Sequence, residues 1–508
     1  MIKITSLFSA VLFCCAAWAQ QPKKPNILII ISDDHAFQTI GAYGSSYGKT
    51  PQIDRIADQG AIFKRAYVNN SICGPARATL LTGKYSHKNG FKDNETSTFD
   101  FNQDSFVKQL QQHGYKTAWI GKIHLGHQLQ GFDYYEVLNG QGTYFNPEFI
   151  SKSGRQISEG YVSDLVTDKA LGWLDTLNEE NPFCLVIGHK ATHRNWQPDP
   201  QDFGTYDTVD FELPATFYDT YTSREAAQQQ EMSIDKDMQL PYDLKMYDSA
   251  EAMLAQGDYK RMTSAQKKAY LDYYRPIFED FKKRNLQGKE LAEWKFKRYM
   301  TDYLNTAASM DRNVGEVLDY LNDRELMENT IVIYLSDQGF YMGEHGWFDK
   351  RWMYEESFRT PMMISYPKLI KPGSVIEANV INVDIAPTLL DLTGVEIPKD
   401  VQGKPFTNVL SEPTKEHRKE LYYHYFENGE HAVSPHFGVR TDRYKLIRYY
   451  TGVEGWELFD LEKDPREMNN VYSDAAYTKT VQQMKKKLMA EIERYDDQEA
   501  KAIFLSGE

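Results

Sequence analysis

The chain has 508 residues, with 58 Lys and Arg against 72 Asp and Glu, for a formal net charge of −14. That length exceeds one small core and fits a large α/β domain with a smaller companion. The acidic balance, with no basic block, argues against nucleic acid and against holding a long anionic polymer by charge alone, so any bound anion must be met by a few local cations.

The first twenty residues, MIKITSLFSAVLFCCAAWAQ, carry Lys3, an apolar run and Ala17-Trp18-Ala19, the pattern of a secretory signal peptide cleaved after Ala19. The run is too short to span a bilayer, and no later segment offers the roughly 18 apolar residues that a span needs. The reading is an exported protein, secreted or periplasmic, with no membrane span. A lipid anchor at Cys14 or Cys15 is disfavoured, because the preceding VLF and LFC lack the small residues that processing wants. Of four cysteines, Cys73 and Cys184 then remain, too few for a disulfide framework.

PNILIIISDD reads as a fully buried parallel strand over 26–31 that ends in Asp33 and Asp34. The carboxyl edge of such a sheet is where ligands bind. Next, NNSICGPARATLLTGKY sets Cys73 in a polar, Gly- and Pro-containing run with Arg77. YKTAWIG is followed by Lys122 and His124, FCLVIG by His189 and His193, and TIVIYLSDQG carries Asp337 and Gln338. Helical patterns such as FVKQLQQH and MDRNVGEVLDYLNDREL lie between them. Residues 200 to about 300 read as an insertion covering one side of the site, with helices at AQKKAYLDYYRPIFEDFKKR and GKELAEWKFKRYMTDYL. After about 410 the chain turns to short aromatic strands, ELYYHYFE, KLIRYY and WELFDL, and a helix, TVQQMKKKLMAEIERY. The expected fold is α/β: a large mixed, mostly parallel sheet sandwiched by helices, plus a smaller C-terminal antiparallel sheet with a terminal helix. The expected divisions are a signal peptide at 1–19, a catalytic domain at 20–409 and an α+β subdomain at 410–508.

Alone, Asp33 and Asp34 read as capping or solvated carboxylates. With Asp337 and Gln338 they become three carboxylates and an amide, hard oxygen donors for Ca²⁺ or Mg²⁺. An uncompensated carboxylate cluster would be costly. His189 and His193 are spaced i, i+4, but they follow a strand directly, which weakens a zinc reading. Arg77, Lys122, Lys350, His124 and His193 around a divalent cation suit a compact oxyanion such as sulfate or phosphate. Cys73 is the odd member, a soft thiolate beside a hard cation.

Cys73-Gly74-Pro75-Ala76-Arg77, continued by LLTGKY, resembles the C-x-P-x-R signature of the type I sulfatases, which share the alkaline phosphatase superfold. The match extends to the SDD strand end, GK-x-H, His193, SDQG, Lys350 and ELFDLEKDPREMNN, and so covers nearly the whole mature chain. The resemblance implies that a maturation enzyme oxidises Cys73 to formylglycine. It implies that Asp33, Asp34, Asp337, Gln338 and the modified Cys73 bind one Ca²⁺, where many relatives have asparagine in place of Gln338. Arg77 and Lys122 would hold the hydrate and the sulfate, with Lys350 and His193 on the other side. A gem-diol hydroxyl would attack sulfur with Asp337 as base, and His193, aided by Lys350, would protonate the leaving oxygen. His124 would then help the sulfated hydrate collapse to the aldehyde, a release that a serine ester lacks.

DKRWMYE at 349–355 resembles a segment of the N-acetylglucosamine-6-sulfatases, which implies a 6-sulfated terminal glucosamine unit of heparan, keratan or mucin-type glycans. Trp196, His345, Asp349 and Arg351, beside His193 and Lys350, are then candidates for contacting the sulfated sugar. Other readings are a uronate 2-O-sulfatase, an N-sulfoglucosamine sulfatase or an arylsulfatase. A phosphatase or phosphonate hydrolase of the superfold, or an inactive glycan-binding relative, stands behind these.

Overall fold

The computed structural model describes residues 23–178 and 181–506, so the signal-peptide reading of 1–19 and the anchor question at Cys14 and Cys15 lie outside the described residues. Within them, no helix is long and apolar enough to cross a membrane.

The run NILIIIS forms β1 (Asn26–Ser32), every residue of which is buried. Its alternation serves two cores. Ile27, Ile29 and Ile31 enter one hydrophobic cluster, and Leu28 and Ile30 enter the other. The remaining strands of this sheet are β2 (Ala61–Phe63), β3 (Lys116–Gly121), β4 (Tyr134–Leu138), β5 (Glu148–Ser151), β6 (Gly154–Ile157), β7 (Phe183–Gly188), β8 (Thr330–Ser336), β9 (Met362–Ser365) and β10 (Ser374–Ile376). Their order is β10-β2-β9-β8-β1-β7-β3-β4-β5-β6. The central strands β8, β1, β7, β3 and β4 run parallel, with Ile27 opposite both Cys184 and Ile331. β9 joins antiparallel on one flank, and β5 and β6 do so on the other. Parallel β1, β7, β3 and β8 therefore release Asp33, His189, Lys122 and Asp337 at one edge. Cys184 is buried in β7 as a small hydrophobe, as its apolar run predicts.

Helices Cys73–Thr82, Phe106–Gln112 and Ile385–Leu392 supply one core, and Pro51–Asp58, Val162–Asp175 and Gly288–Asp323 the other. The last of these corrects the sequence reading. The two helices expected around 288–304 and 310–326 are one helix of 36 residues. The intervening NTAAS has neither proline nor glycine, and the buried face continues through Leu304, Ala307 and Met310.

A second, antiparallel sheet comprises β11 (Leu421–Tyr425), β12 (His436–Arg440), β13 (Tyr444–Tyr449) and β14 (Gly455–Asp460), with helix Thr478–Tyr495 packed against it through Met484, Leu488 and Ile492. Its β12, HFGVR, has no counterpart among the predicted strands, since a short segment centred on glycine carries little β signal. The sheet packs beneath the 347–354 segment. Trp347, Trp352, Met353 and Tyr354 share a core with Tyr423, Val439 and Phe459.

The edge that carries the polar strand ends is tightly built. Gly121 has φ +93°, and a Cβ there would lie 2.1 Å from the Gly188 carbonyl oxygen; the Lys122 amide donates to that same oxygen at 2.7 Å. Gly121→Ala is expected to cost about 3 kcal/mol of stability, because the left-handed backbone and the clash act together. Thermal or denaturant unfolding measures this, and an unchanged midpoint would contradict it.

Candidate active site

Cys73 opens helix Cys73–Thr82, and Arg77 sits one turn later on the same face. Both side chains are buried among groups from the strand ends. The Cys73 thiol donates to Asp33 Oδ1 at 3.3 Å, and Lys350 Nζ lies 3.4 Å from its Sγ. Arg77 donates from Nε to Asp337 Oδ2 at 3.0 Å and from Nη1 to the Lys122 carbonyl at 2.8 Å. Lys122 Nζ pairs with Asp33, and Lys350 Nζ meets both Asp34 oxygens at 2.7 and 2.6 Å. Gln338 donates from Nε2 to Asp34. Six charged groups, three of each sign, thus surround one thiol.

The scaffold reaches across the sequence. The Asp34 amide donates to Asp337 Oδ1 at 3.2 Å, locking two strand ends together. Tyr303 of the long helix donates to the Asp34 carbonyl at 2.7 Å and accepts from the Ala36 amide at 2.8 Å. From the predicted insertion, Lys245 donates to the Asn195 and Trp196 carbonyls at 2.8 and 2.7 Å, and Asp243 takes two bonds from Arg194 at 2.6 and 2.9 Å. Those contacts fix the loop that carries His193.

Electrostatics sort these groups. Burial alone would raise the Asp33 carboxyl, but Lys122, His193, Arg77 and Lys350 together hold it well below the usual range. Burial, then the charge of Asp33, pushes Asp337 up to about 7. Burial and Lys122 hold His124 down to about 3 and His193 well below 6.5. Burial, then Asp33, raises the Cys73 thiol. Such a thiol is no ready nucleophile, despite its helix N-terminus.

The donor set suits a hard divalent cation. Carboxylate oxygens of Asp33, Asp34 and Asp337 lie within 4.8 Å of one another, and Gln338 Oε1 is buried without a hydrogen-bond partner. His193 joins Asp33 and Cys73 in a second cluster, while His189, buried with both ring nitrogens unpartnered, joins neither. Among the described residues the i, i+4 spacing therefore brings His189 into no such cluster.

The remaining predicted residues divide. His124 reaches the edge of the group, with φ 59° and Nδ1 unpartnered, and lines a cleft of about 330 Å³ with Phe91, Asn94, His127 and Asn139. Asp349 and Arg351 lie nearby in a polar network: Asp349 meets His431 Nε2 at 2.9 Å, and Arg351 meets Glu427 and the Tyr425 hydroxyl, the latter at 3.2 Å. Trp196 and His345, expected as candidates for contacting the sugar, lie in the interior. Trp196 is fully buried against Tyr299, Phe340 and Phe348. His345 is likewise buried, its Nδ1 2.8 Å from Asp219. Both shape the loops from within. Sequence reasoning missed Asn94, Gln141, Lys190, Glu427 and His431. The polar tip FENGEH, directly after the aromatic strand β11, was the available signal for the last two.

Comparison with known proteins accords with this geometry. A family profile described as Sulfatase matches residues 25–395, and one described as N-sulphoglucosamine sulphohydrolase, C-terminal, matches 343–494. The chain is 42% identical over 497 residues to an N-acetylglucosamine-6-O-sulfatase of Bacteroides thetaiotaomicron, covering 95% of this chain and 89% of that protein. It is 27% identical over 471 residues to human arylsulfatase K, covering 88% and 79%. A solved structure in complex with its substrate D-glucosamine-2-N,6-O-disulfate superposes with a TM-score of 0.91 at 43% identity, covering 94% of this chain and 99% of that one.

Proposed function

From a chain that belongs to the sulfatase family and is a sulfuric ester hydrolase, we propose an exported enzyme that removes the 6-O-sulfate of a terminal N-acetylglucosamine or glucosamine residue in a glycosaminoglycan or mucin-type glycan. The observation that carries the chemistry is the meeting of three buried carboxylates and three buried cations at Cys73. The sugar rests on the relative named for N-acetylglucosamine 6-O-sulfate and on the similar structure bound to a 6-O-sulfated glucosamine.

Asp33, Asp34, Asp337 and Gln338, with the modified residue 73, would hold Ca²⁺, which supplies Lewis-acid polarisation of sulfate oxygens. Formylglycine, made from Cys73 by a maturation enzyme, supplies a hydrated aldehyde as nucleophile; in the encoded chain the Sγ atom stands where that oxygen would be. A divalent cation beside three balanced ion pairs leaves two surplus positive charges, which favours an anionic ester. Arg77, Lys122 and Lys350 exchange carboxylate contacts for sulfate oxygens, and their burial makes those contacts strong as charge spreads in the transition state. Asp337 is the proposed base at residue 73. His193 donates from Nδ1 to the Arg194 carbonyl at 2.6 Å, which leaves Nε2 for the leaving sugar oxygen; the incoming sulfate anion would offset the burial and the Lys122 charge that keep the ring neutral, so that Nε2 gains the proton it then delivers. His124, with its free Nδ1, is the proposed base for regeneration. Asp349 and Arg351 read the sugar hydroxyls.

A panel of monosulfated monosaccharides tests the specificity. The expected best substrate is 6-sulfo-N-acetylglucosamine, preferred by at least about a hundredfold in kcat/KM, because a misplaced sulfate cannot meet the cations and the proton donor together. The match to the N-sulphoglucosamine sulphohydrolase C-terminal profile makes the N-sulfated sugar the informative competitor. If it were the better substrate, the assignment would pass to N-sulfatase.

A further inference from the structure

Lys190 is a buried cation that the proposed chemistry does not use. It follows β7 by two residues and is 4% exposed. Lys122 and Lys350 each pair directly with a carboxylate, whereas among the described residues Lys190 forms no ion pair within 4 Å, and Asp33 and Asp258 act on it only at longer range. Its Nζ donates to the Gln141 backbone carbonyl at 3.1 Å and stands 5.0 Å from the centre of the Tyr144 ring. Burying an ammonium without a directly paired carboxylate is costly. Burial, then the charge of Lys122, holds it down to about 8.

The residue that receives Lys190 also holds Lys122. Gln141 accepts from Lys122 Nζ through Oε1 at 2.5 Å, so one glutamine bonds one lysine by its side chain and the other by its backbone. The turn that presents it is specific. Gly140 and Gly142 flank it with φ +56° and +67°, the Gly142 amide donates to the Asn139 carbonyl at 2.9 Å, and a Cβ on Gly142 would meet Leu138 at 2.7 Å. Tyr144, under the Lys190 ammonium, donates its hydroxyl to the His193 carbonyl at 2.5 Å. The strap at 139–144 therefore touches the loops of both Lys122 and His193.

We propose that Lys190 and Gln141 are a positioning pair for the sulfate site, in which Lys190 anchors the strap and Gln141 aims the Lys122 ammonium at the sulfate oxygens. Lys122 has two competing partners, Asp33 and Gln141, and a neutral amide releases it more readily to an incoming anion than a second carboxylate would. The pair acts through Lys122 and so rests on the proposed role of that residue.

The test uses calcium-loaded, formylglycine-bearing enzyme and 6-sulfo-N-acetylglucosamine. Lys190→Met and Gln141→Ala are each expected to lower kcat/KM by about 30-fold, within the hundredfold cost of a 1 Å misplacement. Lys190→Arg should restore the rate to within about threefold of wild type, and the double variant should be no worse than the worse single one. In a Lys122→Ala background, Lys190→Met should change kcat/KM by less than about twofold, a readout that general destabilisation would not spare. Additive losses, or an unchanged single variant, overturn the proposal. Should Lys190→Met fail to fold, inhibition of Gln141→Ala by inorganic sulfate decides: weakening by about tenfold supports the pair and an unchanged constant overturns it. If wild-type enzyme does not cleave the sugar sulfate, the functional reading has failed instead, and that is seen before any variant is made.

Discussion

Asp337→Ala is expected to lose turnover by at least about a thousandfold and to lose bound calcium in the same step. The carboxylate at the end of β8 is shared among several tasks. It accepts from the Asp34 amide through Oδ1 and from Arg77 through Oδ2, and its oxygens cluster with those of Asp33 and Asp34. Removing it subtracts one hard ligand and leaves the fully buried Arg77 guanidinium without its closest carboxylate. An uncompensated buried charge costs about 3–5 kcal/mol, so the variant should also melt earlier. Asp337→Asn separates the effects. The amide retains an oxygen and most of the packing but not the charge that balances Arg77, so stability should recover only in part while turnover stays at least about a hundredfold down for want of the base. Metal content by elemental analysis, a melting curve and kcat together check this. Full activity of either variant, or calcium retained at wild-type stoichiometry in Asp337→Ala, would refute the joint assignment.

The part of this site legible in the sequence is the part that regular structure carries. A short continuous apolar run rich in β-branched residues reads as a strand buried on both faces, which places the polar residues after NILIII, TAWIG, FCLVIG and TIVIYL at a sheet edge. Cys73 and Arg77 were legible through the C-x-P-x-R signature, and the helix that opens at Cys73 fixes their relation by one turn. Contacts made by loops were not. Glu427 and His431 come from the tip after β11, and Gln141 from a glycine-flanked strap; no periodicity relates either to Cys73. The packing of Trp196 and His345 was hidden for a related reason. Each lies in a polar, loop-like stretch that admits both sugar contact and loop packing, and only the tertiary fold brings Tyr299 from the long helix over Trp196 and Asp219 from the insertion against His345. The same long helix was divided in the sequence reading because its two apolar patterns serve different neighbours. Phe296 and Tyr299 pack in the cluster around Trp196, and Val314 and Leu318 pack under the main sheet.

The larger loss is expected at Cys73. Cys73→Ala should reduce kcat by about a millionfold, the scale seen when a covalent nucleophile is removed from an enzyme whose binding groups stay intact. The wild-type chain should show the same deficit wherever residue 73 remains cysteine. Burial and Asp33 raise its thiol, so the proton stays on sulfur even with Lys350 3.4 Å away. A low-pKa thiolate, the alternative nucleophile, needs the reverse arrangement, a surplus of cations without an adjacent carboxylate. Here the thiol donates to Asp33, a contact that stabilises the protonated form. Activity should therefore track the fraction of the 73-bearing peptide that mass spectrometry finds as aldehyde or hydrate, rising from near zero without a maturation enzyme to full with one. Cys73→Ser separates the remaining possibilities, because a serine hydroxyl could attack sulfur yet has no second hydroxyl with which to release the ester. It should trap sulfate covalently for, at most, a single turnover. Multiple turnovers from the serine variant, or full activity from a preparation whose residue 73 is entirely cysteine, would show that the reaction does not pass through a modified side chain.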